Sequence, residues 1–567
     1  VARDWRIPGE TTRKAAERLA TRHGVPRPVA YAMVRRGLED ETERDAFLNP
    51  RLRSLGDPMV LPQVGRGAER VWRAIDREEP IFLHGDYDVD GLTGTAFLAR
   101  TLGALGAATV PFVPSREEGY GLGPAGVAAA REAGAGVCIT VDCGTTAFEE
   151  IRELQEGGID VVVLDHHEPA AELPPATAVV NPRWGETGQA YATLAAVGVA
   201  AKFLHAMASL RPGALPPEAY REALQLVALG TIADVVPLVG ENRILVSYGL
   251  KRLSRSRWTG IQALKAVARL TRDRVSATDV AFFLAPRINA VGRMGNARDA
   301  LALLLTDDPV EAYRRADQVE AANRERREAD RLVVAEALEQ LRGREPLPAI
   351  LVLWSERWPA GVVGIAASRL QERFHRPVCV IALEGDDGRG SARSAEAFPL
   401  PRALEACEDL LEAHGGHARA AGFSIRRQHL ETFRDRMESL GAASELAAEA
   451  TPWDLDATVS LEEIDAPCLD WLERLEPYGS GNPEPLFGGE VFLLAEAPSV
   501  VGRRHLRLSF RGAGAPVRAI AFNQGERVKE FGRGQRVDAV FHAGFDTWRG
   551  GRTPQLIVRD LRLGASR

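Results

Sequence analysis

With 567 residues the chain is too long for one hydrophobic core, and its length predicts three to four domains. A composition of 45% hydrophobic and 26% charged residues excludes a disordered or fibrous chain, and a net charge of −7 excludes a globally basic nucleic-acid binder. No apolar run approaches the length of a membrane span, and five scattered cysteines predict a reducing, cytoplasmic setting without a disulfide framework.

Residues 1–65 read as a leading segment of short helices with proline breaks. Over 66–306 strands and helices alternate and then give way to a helical extension. Strands are predicted near 80–84, 109–113, 137–142, 160–164 and 177–181, with helices such as 91–105 and 146–155 between them. This is the pattern of a doubly wound parallel α/β sheet. Residues 307–345 predict one long connecting helix: Asp307-Asp308-Pro309 is a helix start, and the polar run from 310 to 342 contains neither Pro nor Gly. A second α/β unit follows over 346–445, with strands 350–354 and 378–383 around the helix 361–374 and then a glycine-rich segment. Residues 450–567 read as five short strands (491–494, 506–510, 517–522, 537–543 and 555–558) with one helix, the texture of an OB-type β-barrel.

Three strands of the first unit end in ligand-type residues. One runs into His84-Gly85-Asp86-Tyr87-Asp88-Val89-Asp90-Gly91, the next into Asp142-Cys143-Gly144, and a third into Asp165-His166-His167. In an open parallel sheet such ends lie side by side, at the edge where ligands bind. His84, Asp86 and Asp88 alternate at period two, so one face can carry several ligands. Asp90 is expected to cap the helix that starts at Gly91. Asp234, inside the apolar stretch 229–238, either caps a turn or meets the same ion, because an unpaired carboxylate is costly to bury. Carboxylates and imidazoles in one crevice repel and stay solvated unless a cation holds them. Hard oxygen ligands with some imidazole suit Mn²⁺ or Mg²⁺ better than structural zinc. About six ligands predict two ions that share a bridging carboxylate.

On the substrate side, Arg116, Arg287 and Arg293 flank turn glycines, and Tyr120 is set either to stack a base or to pack its loop. Gly415-Gly416-His417 either admits backbone amides to an anion or makes a simple turn, and Arg393 would grip the same phosphate. Arg324, Arg326 and Arg327 on the long helix form a solvated face or track phosphates. In the last unit Phe510, Phe522, Phe545 and Trp548 interleave with Arg503, Arg504, Arg507 and Arg518, as stacking platforms for a single strand or as barrel core.

Together, His84-Gly-Asp86-Tyr-Asp88-Val-Asp90-Gly91, Val141-Asp142-Cys-Gly144, Asp165-His166-His167 and Thr231-Ile-Ala-Asp234 resemble the four motifs of the DHH phosphoesterase superfamily. Arg116-Glu-Glu-Gly119-Tyr120-Gly121 and Ala285-Pro-Arg287-Ile-Asn289-Ala-Val-Gly292-Arg293 resemble its RecJ branch. Gly390-Ser391-Ala-Arg393-Ser394 and His414-Gly415-Gly416-His417 are similar to the DHH-associated substrate domain. The resemblance implies a DHH domain, a long connecting helix, a DHH-associated domain and an OB-type barrel. It implies a metal-dependent 5′→3′ exonuclease that hydrolyses single-stranded DNA to 5′-mononucleotides in repair and recombination. One Mn²⁺ or Mg²⁺ would be held by His84, Asp86 and Asp142, and a second by Asp88, Asp142, His166 and Asp234. Asp165 would fix an imidazole, and His167 would contact the scissile phosphate or act as general acid. Arg116, Tyr120, Arg287, Asn289, Arg293, Ser391, Arg393, Gly415, Gly416 and His417 would hold the strand. The implied partner is single-stranded DNA, with a single-strand-binding protein and a helicase as further candidates, no membrane and a monomeric enzyme. The alternatives are a DHH phosphodiesterase for short oligonucleotides or cyclic dinucleotides, which residues 452–562 argue against, and a non-catalytic replication-scaffold relative, which the full ligand set argues against.

Overall fold

The structure, a computed structural model, describes residues 4–186, 189–394, 398–417, 419–444, 452–512, 515–546 and 552–564; Trp548 lies outside them. The first unit is built on five parallel strands, β1 (Ile81–Gly85), β2 (Thr109–Phe112), β3 (Val137–Val141), β4 (Asp160–Leu164) and β5 (Ala178–Val180), in the order β2-β1-β3-β4-β5. Successive residues serve opposite faces. Ile81, Leu83, Ile139, Val162 and Leu164 enter one apolar cluster, whereas Phe82, Cys138, Val161 and Val163 enter another. Burial on both faces is why these strands read as unbroken apolar runs. The strand order reverses between β1 and β3, so a crevice opens at their C-terminal ends.

Helices α1 (Val89–Ala104), α2 (Ala196–Leu210) and α3 (Pro217–Ala233) contribute to the first of those clusters, as does α4 (Ala285–Met294). The connecting helix α5 (Pro309–Gln340) starts as its sequence dictates: the Asp308 carboxylate accepts from the amides of Val310 and Glu311. Its first half buries Ala312, Ala316 and Val319 in the first unit, and its second half buries Val333 and Ala337 in the next.

The second unit holds β6 (Leu351–Ser355), α6 (Val363–Phe374), β7 (Val378–Glu384), β8 (Asp387–Arg393), β9 (Leu411–His417) and β10 (Ala420–Arg426), with sheet order β9-β10-β8-β7-β6. Three antiparallel strands therefore stand where the sequence suggested a glycine-rich segment. Glycines mask the alternation there. A Cβ at Gly390 would collide with the Phe423 ring packed across from it.

Among the described residues the sheet of the third unit has seven strands rather than five: β11 (Ala457–Thr458), β12 (Phe487–Leu494), β13 (Ser499–Val501), β14 (His505–Arg511), β15 (Val517–Ala521), β16 (Arg536–Asp546) and β17 (Thr553–Leu563). Pairing runs β12-β16-β17-β15-β14, and β14 pairs again with β12 through Arg511 and Leu493. The leading helices Glu10–His23 and Arg27–Val34 pack into this core, where Leu19, Val29 and Met33 meet the cluster of Phe487, Phe510 and Phe541. Arg27 pairs with Glu463, and Arg36 with Asp456. The guanidinium of Arg243 is buried, donating to the carbonyls of Phe47, Leu475 and Glu476, so it ties the first unit to both. Among the described residues no helix is long and apolar enough to cross a membrane.

Candidate metal centre and strand-binding face

The loop after β1 wraps tightly because two glycines allow it. A Cβ on Gly91 would stand 2.5 Å from the Asp86 amide nitrogen, and one on Gly85 would overlap the Thr95 hydroxyl. Asp88, not Asp90, caps α1, accepting from the amides of Asp90 (2.8 Å) and Gly91 (3.1 Å). Asp90 is buried and reaches across to the start of α2, where it accepts from the amides of Ala196 (2.6 Å) and Val197 (3.0 Å). It caps a helix, but one more than a hundred residues away.

The carboxylates converge on His166. Its Nε2 lies 3.2 Å from Asp142, 3.7 Å from Asp234 and 4.0 Å from Asp90. Asp142 sits at φ 64°, in the left-handed region that costs a non-glycine residue energy. Among the described residues three groups could hold a metal ion: Asp86, Asp88 and Asp142; Asp90, His166 and Asp234; and Asp142, His166 and His167. Asp90, expected only as a helix cap, thus joins the ligand-type residues. Its period-two spacing from Asp86 and Asp88 was the available signal. His84, expected as a ligand, belongs to none of these groups. It is buried beneath the loop, with Nδ1 3.7 Å from the Cys143 sulfur and Nε2 against Gly126, where a Cβ would stand 2.5 Å away.

The electrostatics ask for a cation. Asp86 Oδ2, Asp142 Oδ1 and Asp234 Oδ2 are buried without a hydrogen-bond donor. Burial, reinforced by the charge of Asp88, pushes Asp86 and Asp234 up to about 7. Burial and neighbouring carboxylates raise Asp90 and Asp142 well above the usual range. Burial also pushes His84 and His166 down to about 4, which leaves both imidazoles neutral. Carboxylates that cannot all ionise together, beside a neutral imidazole, form a seat that a hard divalent cation would satisfy.

Asp165 behaves differently. Burial opposes its charge, yet the His167 side chain and the amides of Thr145, His166 and His167 hold it well below the carboxylate range. Its Oδ1 is 2.7 Å from His167 Nδ1, and that hydrogen bond raises the His167 pKa. His167 Nε2 is 3.0 Å from the Tyr120 hydroxyl, which in turn donates to the Asp142 carbonyl at 3.3 Å. His167, its pKa raised by Asp165, therefore stands at the rim of the carboxylate cluster with Tyr120 beside it.

A basic wall faces this centre. The Arg293 guanidinium is half-buried, and Arg116, Arg326 and Arg393 all press on its charge. Arg116 lies over the Tyr87 ring at 5.9 Å, and Tyr87 meets Tyr120 edge-on. Arg293 donates to the Gly361 carbonyl at 3.2 Å, spanning from α4 to the second unit. Register aligns Arg393, Ala420 and His417 in one row across the second sheet, and Ser391, Gly422 and Gly415 in another. Ser391, Arg393, Gly415 and His417 thus share a face. Arg393 donates to the Ser391 hydroxyl at 2.8 Å, against the first turn of α6. The Gly415-Gly416 pair lies on β9 rather than in a simple turn. Gly415 has open space over its Cα, whereas Gly416, at φ +144°, is needed by the hairpin itself.

Arg287 is not in this wall. It is buried, with its Nε 2.6 Å from Glu320 of α5 and a hydrogen bond to the Phe283 carbonyl. Asn289 is half-buried on the same helix. In the third unit Phe510 is core, Phe522 is exposed beside His505, Phe545 is covered by Arg552, and Arg503, Arg504, Arg507 and Arg518 are exposed. Tyr87 was not among the expected strand-binding residues, although its place between two motif carboxylates was a signal; Arg326, expected either on a solvated face or tracking phosphates, is close enough to Arg293 to press on its charge.

Comparison with known proteins covers all three units. Residues 80–231 match the model of the DHH family N-terminal domain, 346–442 the DHHA1 domain, and 455–560 the RecJ OB domain. The single-stranded-DNA-specific exonuclease RecJ of Bacillus subtilis is 33% identical over 540 residues, spanning 94% of this chain and 68% of that protein. The Escherichia coli protein of the same name is 35% identical over 528 residues, spanning 88% and 90%. The crystal structure of RecJ from Thermus thermophilus in complex with Mn²⁺ superposes with a TM-score of 0.81 at 34% identity, covering 99% of this chain and 80% of that one.

Proposed function

The chain belongs to the RecJ family of single-stranded-DNA-specific exonucleases, and from that premise we propose that it shortens single strands from the 5′ end, releasing 5′-mononucleotides in repair and recombination. The observation that carries the reading is the cluster of buried carboxylates without donors around His166, with a basic wall facing it.

Two ions, Mn²⁺ or Mg²⁺, would be held by the groups Asp86-Asp88-Asp142 and Asp90-His166-Asp234, with Asp142 close to His166 of the second group. Divalent cations, when bound, supply an activated water and offset charge on the reacting phosphate. The protein's own residues do the rest. Asp142 holds the two halves of the centre in register. His84 supports the loop from below. Asp165 favours the protonated form of His167, whose Nε2 would then donate to a phosphate oxygen or to the departing 3′ oxygen. Arg116, Arg293 and Arg393, with Ser391, His417 and the open backbone at Gly415, position the neighbouring phosphates, and Tyr120 borders the scissile one. We assign Arg287 and Glu320 to holding α4 on the connecting helix.

The exposed arginines and Phe522 of the third unit support a grip on a longer strand, which favours this reading over a dinucleotide phosphodiesterase. The same activity, in a cytoplasmic monomer, calls for a helicase to supply single strands and a single-strand-binding protein to cover them. The test is degradation of 5′- and 3′-labelled single strands beside a duplex, with Mn²⁺ and with chelator. Mononucleotide release from the 5′ label of the single strand, abolished by chelator, is expected. Preferred attack on duplex, or on dinucleotides alone, would overturn the reading.

A further inference from the structure

Two segments run from the metal centre toward the base of the OB-type domain. One is 235–239, which starts beside Asp234 and ends where Leu238 donates its amide to the Ser480 carbonyl at 2.7 Å. The other is the helical stretch from Ala277 through α4. At its start Arg274 pairs with Glu476 at 2.6 Å, and at its end Gly292 packs on the Tyr87 carbonyl. Between those anchors the chain makes one π-helical turn, Val280–Leu284, which packs against α3. Pro286 explains the turn. It has no amide to give the Phe282 carbonyl, and its ring crowds that oxygen, so the helix widens by one residue.

The widened turn presents aromatics to solvent. Phe282 is 73% exposed and Phe283 is 39% exposed, and on the companion segment Val235 is 69% exposed at φ 60°, a strained conformation for a β-branched residue. Two large aromatic side chains exposed next to each other, as Phe282 and Phe283 are, mark a contact surface. Buried Arg287 holds the Phe283 carbonyl and is itself clamped by Glu320, so the turn is rigidly aimed.

We propose that Phe282 and Phe283 form an apolar platform on which bases of the single strand stack between the metal centre and the OB-type domain. The occupant follows from continuity: both segments begin at the centre and end at the domain whose exposed arginines and Phe522 suit the same strand. Phe282 is ten residues from Gly292, or about 15 Å along the helix. A stacked strand rises about 3.4 Å per nucleotide. The platform therefore meets bases about three to five nucleotides from the scissile bond. The inference rests on the exonuclease reading for its ligand, but its test does not need turnover.

The test measures binding of a labelled 20-nucleotide strand in EDTA by fluorescence anisotropy, with cleavage measured separately in Mn²⁺. Phe282→Ala should raise Kd about ten-fold, as loss of a base–aromatic stack does. Phe282→Tyr should restore it. A strand with abasic sites at nucleotides three to five should bind the unaltered protein about ten-fold more weakly yet be nearly indifferent to Phe282→Ala. Equal loss on intact and abasic strands would mean a general distortion and overturn the proposal. Unchanged binding would also overturn it, and a change in oligomeric state with unchanged binding would make the face an interface between copies. If binding follows the expected pattern while no strand is shortened, the platform stands and the exonuclease reading falls.

Discussion

At the scale of single residues, the centre is defined by charges that the fold leaves unbalanced. Asp86 and Asp234 are pushed up to about 7, and Asp90 and Asp142 well above the usual carboxylate range, because burial and mutual repulsion disfavour their ionised forms. A carboxyl whose folded pKa exceeds its unfolded value of about 4 holds a proton that the unfolded chain releases in between. Stability of the metal-free protein therefore falls as pH rises from about 4 through 7. Melting in EDTA is expected to be lower near pH 8 than near pH 5, with Mn²⁺ closing the gap because a cation replaces the protons. A metal-free melting temperature flat across that range would contradict this account. Asp142→Ala should abolish hydrolysis while strand binding in EDTA stays within about two-fold, since phosphate contacts elsewhere carry affinity. Asp165→Asn acts through His167. Replacing the carboxylate by a neutral amide removes the charge across the 2.7 Å hydrogen bond and lowers the imidazole's pKa, so the alkaline limb of the pH–rate profile should move to lower pH and the rate should fall about 100-fold. A slower variant with an unmoved limb would assign Asp165 to loop geometry alone.

At the scale of elements, legibility tracked burial and locality. Strands β1, β3 and β4 were readable because helices cover both faces, which forces unbroken apolar runs. Strands β8–β10 were not, because their glycines serve close packing, as where Gly390 meets Phe423, and glycine also spells loop. The three ligand-bearing motifs could be read because each directly follows its strand. Asp90 could not be assigned, since its hydrogen-bond partners Ala196 and Val197 are remote in sequence. The partner of Arg287 could not be read for the same reason: Glu320 lies on another helix. The phosphate grip gives a prediction here. Arg393→Ala should slow cleavage by misplacing the scissile bond while bound Mn²⁺ is retained, as titration would show. Parallel loss of metal would tie Arg393 to the centre itself.

At the scale of the whole molecule, the leading helices and the OB-type domain are one folding unit, since Leu19, Val29 and Met33 share a core with Phe487 and Phe541. Removing residues 452–567 alone should therefore strand residues 10–48 as apolar helices without a core. Limited proteolysis should clear them from a 1–444 fragment, while a fragment of residues 50–444 stays soluble. Protection of the leading helices in the shorter chain would show that they fold on their own. Arg243, which gives its guanidinium to carbonyls of Phe47, Leu475 and Glu476, locks this unit to the catalytic one, and Arg243→Ala should cost about 3 kcal/mol of stability.

The connecting helix has a mechanical consequence. Because one end is set in the core of the first unit and the other in that of the second, the two faces of the strand path are joined by a beam instead of a hinge. Selectivity then depends on stiffness: a gap that cannot widen admits only what already fits. Softening the beam between its two embedded ends, with Arg324→Gly and Glu325→Gly at about 1 kcal/mol each, should leave both cores intact. The activity on duplex relative to single strand should rise, in an assay that follows both substrates in one tube, and an unchanged ratio would locate the discrimination in side chains rather than in rigidity.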